Sequence, residues 1–132
     1  MEWRWIVQLQ PDFVREILLA IEAEPKYAGA DHQSIVTLGN HTEEETKYHV
    51  SRLIQAGLLD GDFSRPHLPP LVKGLTWDGH QYLENIRDPE IWKKTNEGLK
   101  EVGGFSFDLV KALAKGLVKK QIEERTGVKL DL

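Results

Sequence analysis

Cysteine is absent from all 132 residues, and the longest unbroken aliphatic run is the five residues Ile17–Ile21. The first absence excludes a disulfide framework, a thiolate zinc ribbon and a thiol nucleophile. The second lies far below the roughly 20 apolar residues that a membrane span needs. There is no Gly-rich phosphate loop, no His-Glu-x-x-His pair and no Gly-x-Ser-x-Gly elbow, so neither an enzyme nor a cofactor is expected. Ser/Gly-rich tracts and internal repeats are missing as well. The opening Met1-Glu2-Trp3-Arg4-Trp5 lacks an apolar core followed by small residues, so a cytoplasmic place without a membrane partner is expected. Positive charge is also in deficit. The net charge of −4 disfavours a generic polyanion binder, since non-specific affinity for nucleic acid comes from phosphate neutralisation.

What is present suits one domain: 40% apolar and 29% charged residues in a chain short for two. Acids dominate the front. Residues 1–45 carry three basic and nine acidic side chains, and 89–132 carry nine basic and seven acidic. Trp3, Trp5, Val7 and Leu9 alternate with Glu2, Arg4, Gln8 and Gln10, with a break at Ile6, so 1–10 reads as a strand or extended arm. Pro11 can open a helix, and Phe13, Val14, Ile17, Leu18 and Ile21 follow at helical spacing over 12–23. Ser34 to Leu38 reads as a short strand closed by a Gly39-Asn40 turn. Thr42 and Glu45 form a capping box for a helix from Glu43 to Ala56, stopped at Gly57 with Leu58 packing back on Leu53. Leu58–Phe63 and Leu71–Thr76 read as a hairpin with a proline-stiffened tip.

Thr76 can cap a helix carrying Trp77, Tyr82, Leu83 and Ile86, and Asp88-Pro89-Glu90 starts another with Ile91, Trp92 and Leu99 inward. Trp77 and Trp92 read as core aromatics, with His49 and His80 beside the core. Ser106 can cap a last helix with Phe107, Val110, Leu113, Ala114, Leu117 and Val118 on one side and Lys111, Lys115 and Lys119 on the other. The order matches a winged-helix-like core over 11–88 with a C-terminal helical extension over 89–132. The fold class is therefore α+β and mainly helical, with a small antiparallel hairpin as the wing.

Two stretches carry a resemblance. Tyr48-His49-Val50-Ser51-Arg52-Leu53-Ile54-Gln55-Ala56-Gly57-Leu58-Leu59 resembles the recognition-helix end of winged-helix repressors of the ArsR type. Leu75-Thr76-Trp77-Asp78-Gly79-His80, followed by Tyr82-Leu83 and Ile91-Trp92, resembles the domain-of-unknown-function-2513 family of short phage and prophage proteins over residues 9–120. That resemblance implies a mobile-element setting in a bacterial cytoplasm and no established activity.

On this reading the helix Glu43–Ala56 offers Lys47, Tyr48, Ser51, Arg52 and Gln55 to double-stranded DNA at a specific site, with Arg65 and Lys73 from the wing. Lys47 and Arg52 are expected opposite Val50 and Ile54. Glu43, Glu44 and Glu45 oppose phosphate at the helix end usually presented to a groove, although the helix dipole equally explains them. The sequence also shows no separate helix between Ser34 and Thr42, where a helix-turn-helix has its first member. The competing reading is an adaptor that binds a phage or host protein. Val110, Leu113 and Leu117 are expected in core packing or a homodimer interface. His41, Glu45 and His49 recur every four residues, yet they read as structural because no further ligand cluster accompanies them.

Overall fold

The computed structural model describes residues 9–28, 34–65, 67–103 and 105–131. The expected arm at Trp3–Gln8 lies outside them. Among the described residues the chain is mainly helical, with five α-helices and one two-stranded antiparallel hairpin. It divides into two compact units, Met1–Gln81 and Tyr82–Leu132, and the division falls inside a helix.

In the first unit, helix α1 (Pro11–Ala23) starts with proline at its first position, where a missing N–H costs nothing. Its buried face is Phe13, Val14, Ile17, Leu18 and Ile21. Glu24 turns extended and Pro25 opens a short 3₁₀ turn to Ala28. Helix α2 (Glu43–Gln55) is capped by Thr42, whose side chain accepts the Glu45 N–H at 3.1 Å. The other half of the expected capping box does not form, because the Glu45 carboxylate bonds the His41 ring. At the far end Gly57 takes φ +83°. Its N–H bonds Ile54 O at 3.1 Å while Leu58 N–H bonds Leu53 O at 3.0 Å, closing the helix as a Schellman motif.

Strands β1 (Leu59–Asp62) and β2 (Leu71–Leu75) pair antiparallel, with an irregularity at Asp60/Gly61 that leaves Lys73 without a direct partner. The strand expected over Ser34–Leu38 shrinks to one bridge. Ser34 and Val72 exchange both backbone bonds, at 3.0 and 2.8 Å. Continuing the antiparallel register would set Val36 opposite Pro70, which has no N–H to return, so the ladder stops. The Gly39-Asn40 turn is present, closed by His41 N–H on Leu38 O at 3.2 Å, and no helix intervenes before Thr42.

Helix α3 (Trp77–Ile86) begins at a knot centred on Thr76. Its hydroxyl donates to Gly57 O and accepts the Gly79 N–H, and its own N–H bonds Leu58 O at 3.1 Å. The buried positions are Gly79, Tyr82, Leu83 and Ile86, a single helical stripe. Trp77 precedes Gly79 by two residues, about 200° round the helix. It therefore faces outward and is 74% exposed, not a core aromatic, and His80 on the flank is exposed too. Trp92 is buried as expected.

In the second unit, α4 (Pro89–Val102) is capped by Asp88 and ended by Gly103 at φ +70°. Helix α5 (Phe107–Thr126) is capped by Ser106 and ended by Gly127 at φ +73°. Ile91, Trp92, Thr95 and Leu99 of α4 and Val110 and Ala114 of α5 are buried. Leu113 packs beside Gly98, and Leu117 is half-buried, while Lys111 and Lys115 are exposed. Tyr82 meets the Phe107 ring edge-on at 5.5 Å. Its hydroxyl is buried without a hydrogen-bond partner among the described residues, and burial pushes the phenol well above its ordinary pKa.

A Cβ on Gly79 would collide with the Leu58 carbonyl oxygen, a backbone atom fixed by the Thr76 knot. Gly79→Ala is expected to cost about 1–3 kcal/mol, as forced overpacking does; unchanged urea unfolding would refute the knot as a constraint. Tyr82→Phe removes an unbonded buried hydroxyl and is expected to leave stability unchanged or raise it by about 1 kcal/mol. A loss of more than that in the same titration would show the hydroxyl to be bonded.

Candidate functional site

Burial of Thr46, His49, Val50 and Leu53 fixes the orientation of α2. Its outward face is Glu44, Tyr48, Ser51 and Gln55. Lys47 and Arg52 are five residues apart, about 140° round the helix, and so leave on opposite flanks. Lys47 lines a groove together with Val50, correcting the expectation that it lies opposite that residue. Arg52 folds over the Tyr48 ring at 5.6 Å, and its Nε is buried without a hydrogen-bond partner among the described residues.

The hairpin residues do not rejoin these two. The Arg65 guanidinium turns onto its own loop, donating from Nη2 to Pro69 O at 2.9 Å. Lys73, the unpaired residue of β2, lines a separate cleft with Glu22, Glu24 and Asp60. Of the residues expected to form one contact surface, Tyr48, Ser51 and Gln55 share the outward face of α2. The four basic side chains meet different neighbours: Lys47 the groove, Arg52 the Tyr48 ring, Arg65 the Pro69 carbonyl and Lys73 the cleft with Asp60.

Between the segment 34–41, the N-terminal half of α2 and the loop end at Pro69–Pro70 lies a small groove of about 60 Å³. Its walls are mostly apolar: Ile35, Val36, Leu38, Val50, Pro69 and Pro70, with Glu43 and Lys47 at the rim. Sequence reasoning missed it, because it read 34–38 as a short strand. The signal available was Pro69-Pro70 just before β2, which denies one neighbour of that strand its hydrogen bonds.

Beneath α2 a polar cluster joins it to α1. His41 stacks on Phe13 at 3.6 Å between centroids and 13° between planes. Its two ring nitrogens lie 3.1 Å from a Glu16 carboxylate oxygen and 3.2 Å from one of Glu45. His49 is fully buried against the same Phe13 ring, at 4.6 Å. His49 Nδ1 donates to Glu45 O at 2.9 Å, which leaves Nε2 to accept the Gln10 N–H at 2.9 Å. The neutral tautomer thus fills both bonds. Burial holds the His49 pKa below its ordinary 6.5, against the opposing pull of the Glu45 carbonyl and carboxylate. The expected histidine spacing therefore serves packing and hydrogen bonding. Among the described residues no group of three or more His, Asp or Glu is arranged to hold a metal ion, and no described helix is long and apolar enough to cross a membrane.

Comparison with known proteins adds family but no chemistry. A family model described as Hypothetical protein (DUF2513) matches residues 8–106. An uncharacterized protein of Haemophilus influenzae (strain ATCC 51907 / DSM 11121 / KW20 / Rd) is 28% identical over 114 residues, covering 84% of this chain and 95% of that protein. No solved structure matches significantly.

Because the folded state holds His49 neutral, unfolding takes up a proton once the pH drops below the unfolded value of 6.5. The stability His49 contributes is complete above pH 6.5 and falls with decreasing pH, by at most about 1.4 kcal/mol per unit. His49→Gln is expected to flatten that slope between pH 6.5 and 5 in paired urea titrations. Parallel slopes for parent and variant would show that His49 does not titrate differently on unfolding.

Proposed function

Because the chain belongs to the Hypothetical protein (DUF2513) family, whose description carries no activity, we propose its function from the geometry alone. The chain acts as a protein-interaction adaptor on a winged-helix-like scaffold, a binding module and not a catalyst. One observation carries the reading. Lys47 lines a small, mostly apolar groove beside α2, while Arg52, Arg65 and Lys73 each have neighbours of their own elsewhere. A duplex reader needs several cations converging on phosphates. Here one guanidinium is spent on a loop carbonyl, another covers a tyrosine, and one lysine sits among carboxylates. Glu43 and Glu44 add exposed negative charge at the helix end a recognition helix would present.

The second reading, sequence-specific DNA binding through α2, is favoured by Tyr48, Ser51 and Gln55 sharing one outward face. The two separate by experiment. On the adaptor reading, genomic fragments at low salt are not retained, and Lys47→Glu with Arg52→Glu changes nothing in that assay. A protein captured from host or phage-infected lysate should stay bound as salt rises and be lost with Ile35→Asp, which places a carboxylate on the groove wall. Fragment binding that falls steeply with salt, by about 0.9 counterion per phosphate contact, and that disappears in the double variant would overturn the adaptor in favour of DNA.

A further inference from the structure

We propose that the cleft holding Lys73 binds a small zwitterion: a molecule with a free ammonium and a free carboxylate on either side of an apolar body, the class to which short peptides belong. The proposal does not depend on the adaptor reading. The cleft measures about 630 Å³, against about 60 Å³ for the groove beside α2. It therefore falls within the ~300–1,000 Å³ range of small-molecule sites. The end of α1, the turn after it, β1, β2 and the first turn of α3 contribute its walls, all within the first unit. Backbone contacts fix those walls. Tyr27 N–H bonds Glu24 O at 3.1 Å, and a Cβ on Gly74 would come within 2.9 Å of Tyr27 O, so the turn and β2 close directly on each other. The cleft is built into the fold.

Charge supplies the second argument. Asp60 pairs with Gly74 and Gly61 with Val72, which makes Lys73 the extra residue of β2. A bulge of this kind re-aims a side chain, here into the cleft that Asp60 also lines. Among the described residues, Lys73, Asp60 and Glu24 make no side-chain hydrogen bond or ion pair. Groups of opposite sign thus share one cleft without meeting. A guest that carries both signs completes both pairs at once. The helix end adds to this. Helix α1 finishes with Glu22 and Glu24 and has no basic residue in its last turn, against the preference of its negative dipole end. The Ala23 carbonyl there accepts no hydrogen bond among the described residues. An ammonium gains from all of these, so the amine end is the stronger anchor and Lys73 holds the carboxylate. Ile21 and Leu75 offer apolar surface to the body between.

The test titrates trialanine and Leu-Ala-Leu, each free, N-acetylated and C-amidated, into the isotope-labelled full chain and follows its amide resonances. Both free peptides are expected to shift Asp60, Lys73, Gly74 and Leu75 to saturation. N-acetylation should weaken binding at least about tenfold, the worth of one hydrogen bond to a charged group, and C-amidation to a lesser degree. Lys73→Gln, with an unchanged melting temperature, should bind the free and amidated forms alike. Glu24→Gln with Asp60→Asn should likewise erase the discrimination against acetylation. Shifts in the cleft that ignore both caps would overturn the zwitterion. The absence of a saturable shift with either free peptide would overturn the site. Shifts confined to Ile35 and Val50 would also overturn it, by placing the peptide in the groove beside α2 and leaving the adaptor reading standing.

Discussion

The two hydrogen bonds between Ser34 and Val72 are the constraint on which the first unit turns. Val72 is fully buried, and its strand is held on one side by β1 and on the other, among the described residues, by Ser34. The bridge ties the chain leaving α1 to the hairpin that follows α2, across 38 residues of sequence. Closing a loop of that length is entropically costly, and two backbone bonds with a buried valine offset part of the cost. Since Pro70 cannot extend the ladder, the bridge anchors the segment and leaves its next four residues unpaired. The same proline that truncates the sheet therefore creates the groove.

A second tie runs from α1 to α2 through polar groups in an apolar setting. Phe13 is contacted by two imidazoles, His41 stacked and His49 tilted. Such rings are acceptable beside a core only when their nitrogens are bonded. The structure meets that demand with Glu16, Glu45, the Glu45 carbonyl and the Gln10 amide. Glu45 is the shared element. Diverting its carboxylate from the cap to His41 trades a local helix contact for one that spans 25 residues through His41 to Glu16.

Electrostatics explain why a helix with recognition-like chemistry does not become a basic surface. Three acids at the start of α2 complement its dipole, and Arg52 complements its end. Lys47 and Arg52 serve opposite flanks because residues five apart are not neighbours on a helix. Arg65 braces a proline-rich loop whose prolines cannot donate to its own carbonyls. Each cation is placed by a local demand.

Local rules made much of this legible in the residues alone. Pro11, Thr42, Gly57, Asp88, Gly103 and Ser106 mark helix ends by short-range hydrogen bonding and backbone preference, so the sequence order of helices and the hairpin followed from them. Apolar spacing likewise placed Phe13, Ile17, Leu53, Val50 and Val110 in the core. The site was less legible, because its features depend on partners distant in sequence. That Trp77 points outward follows from which α3 stripe Gly79 presses onto Leu58. That Ile35–Leu38 leaves the ladder with β2 follows from the register that brings Val36 toward Pro70. That Lys47 borders a groove and Lys73 a different cleft follows from the packing of α2 and the irregular β2. The sequence by itself determined where elements begin and end, since caps and breakers act within a few residues. Only the tertiary structure decided which backbone groups and charges remained unpartnered, because a hydrogen bond is denied or satisfied by whatever the fold brings alongside.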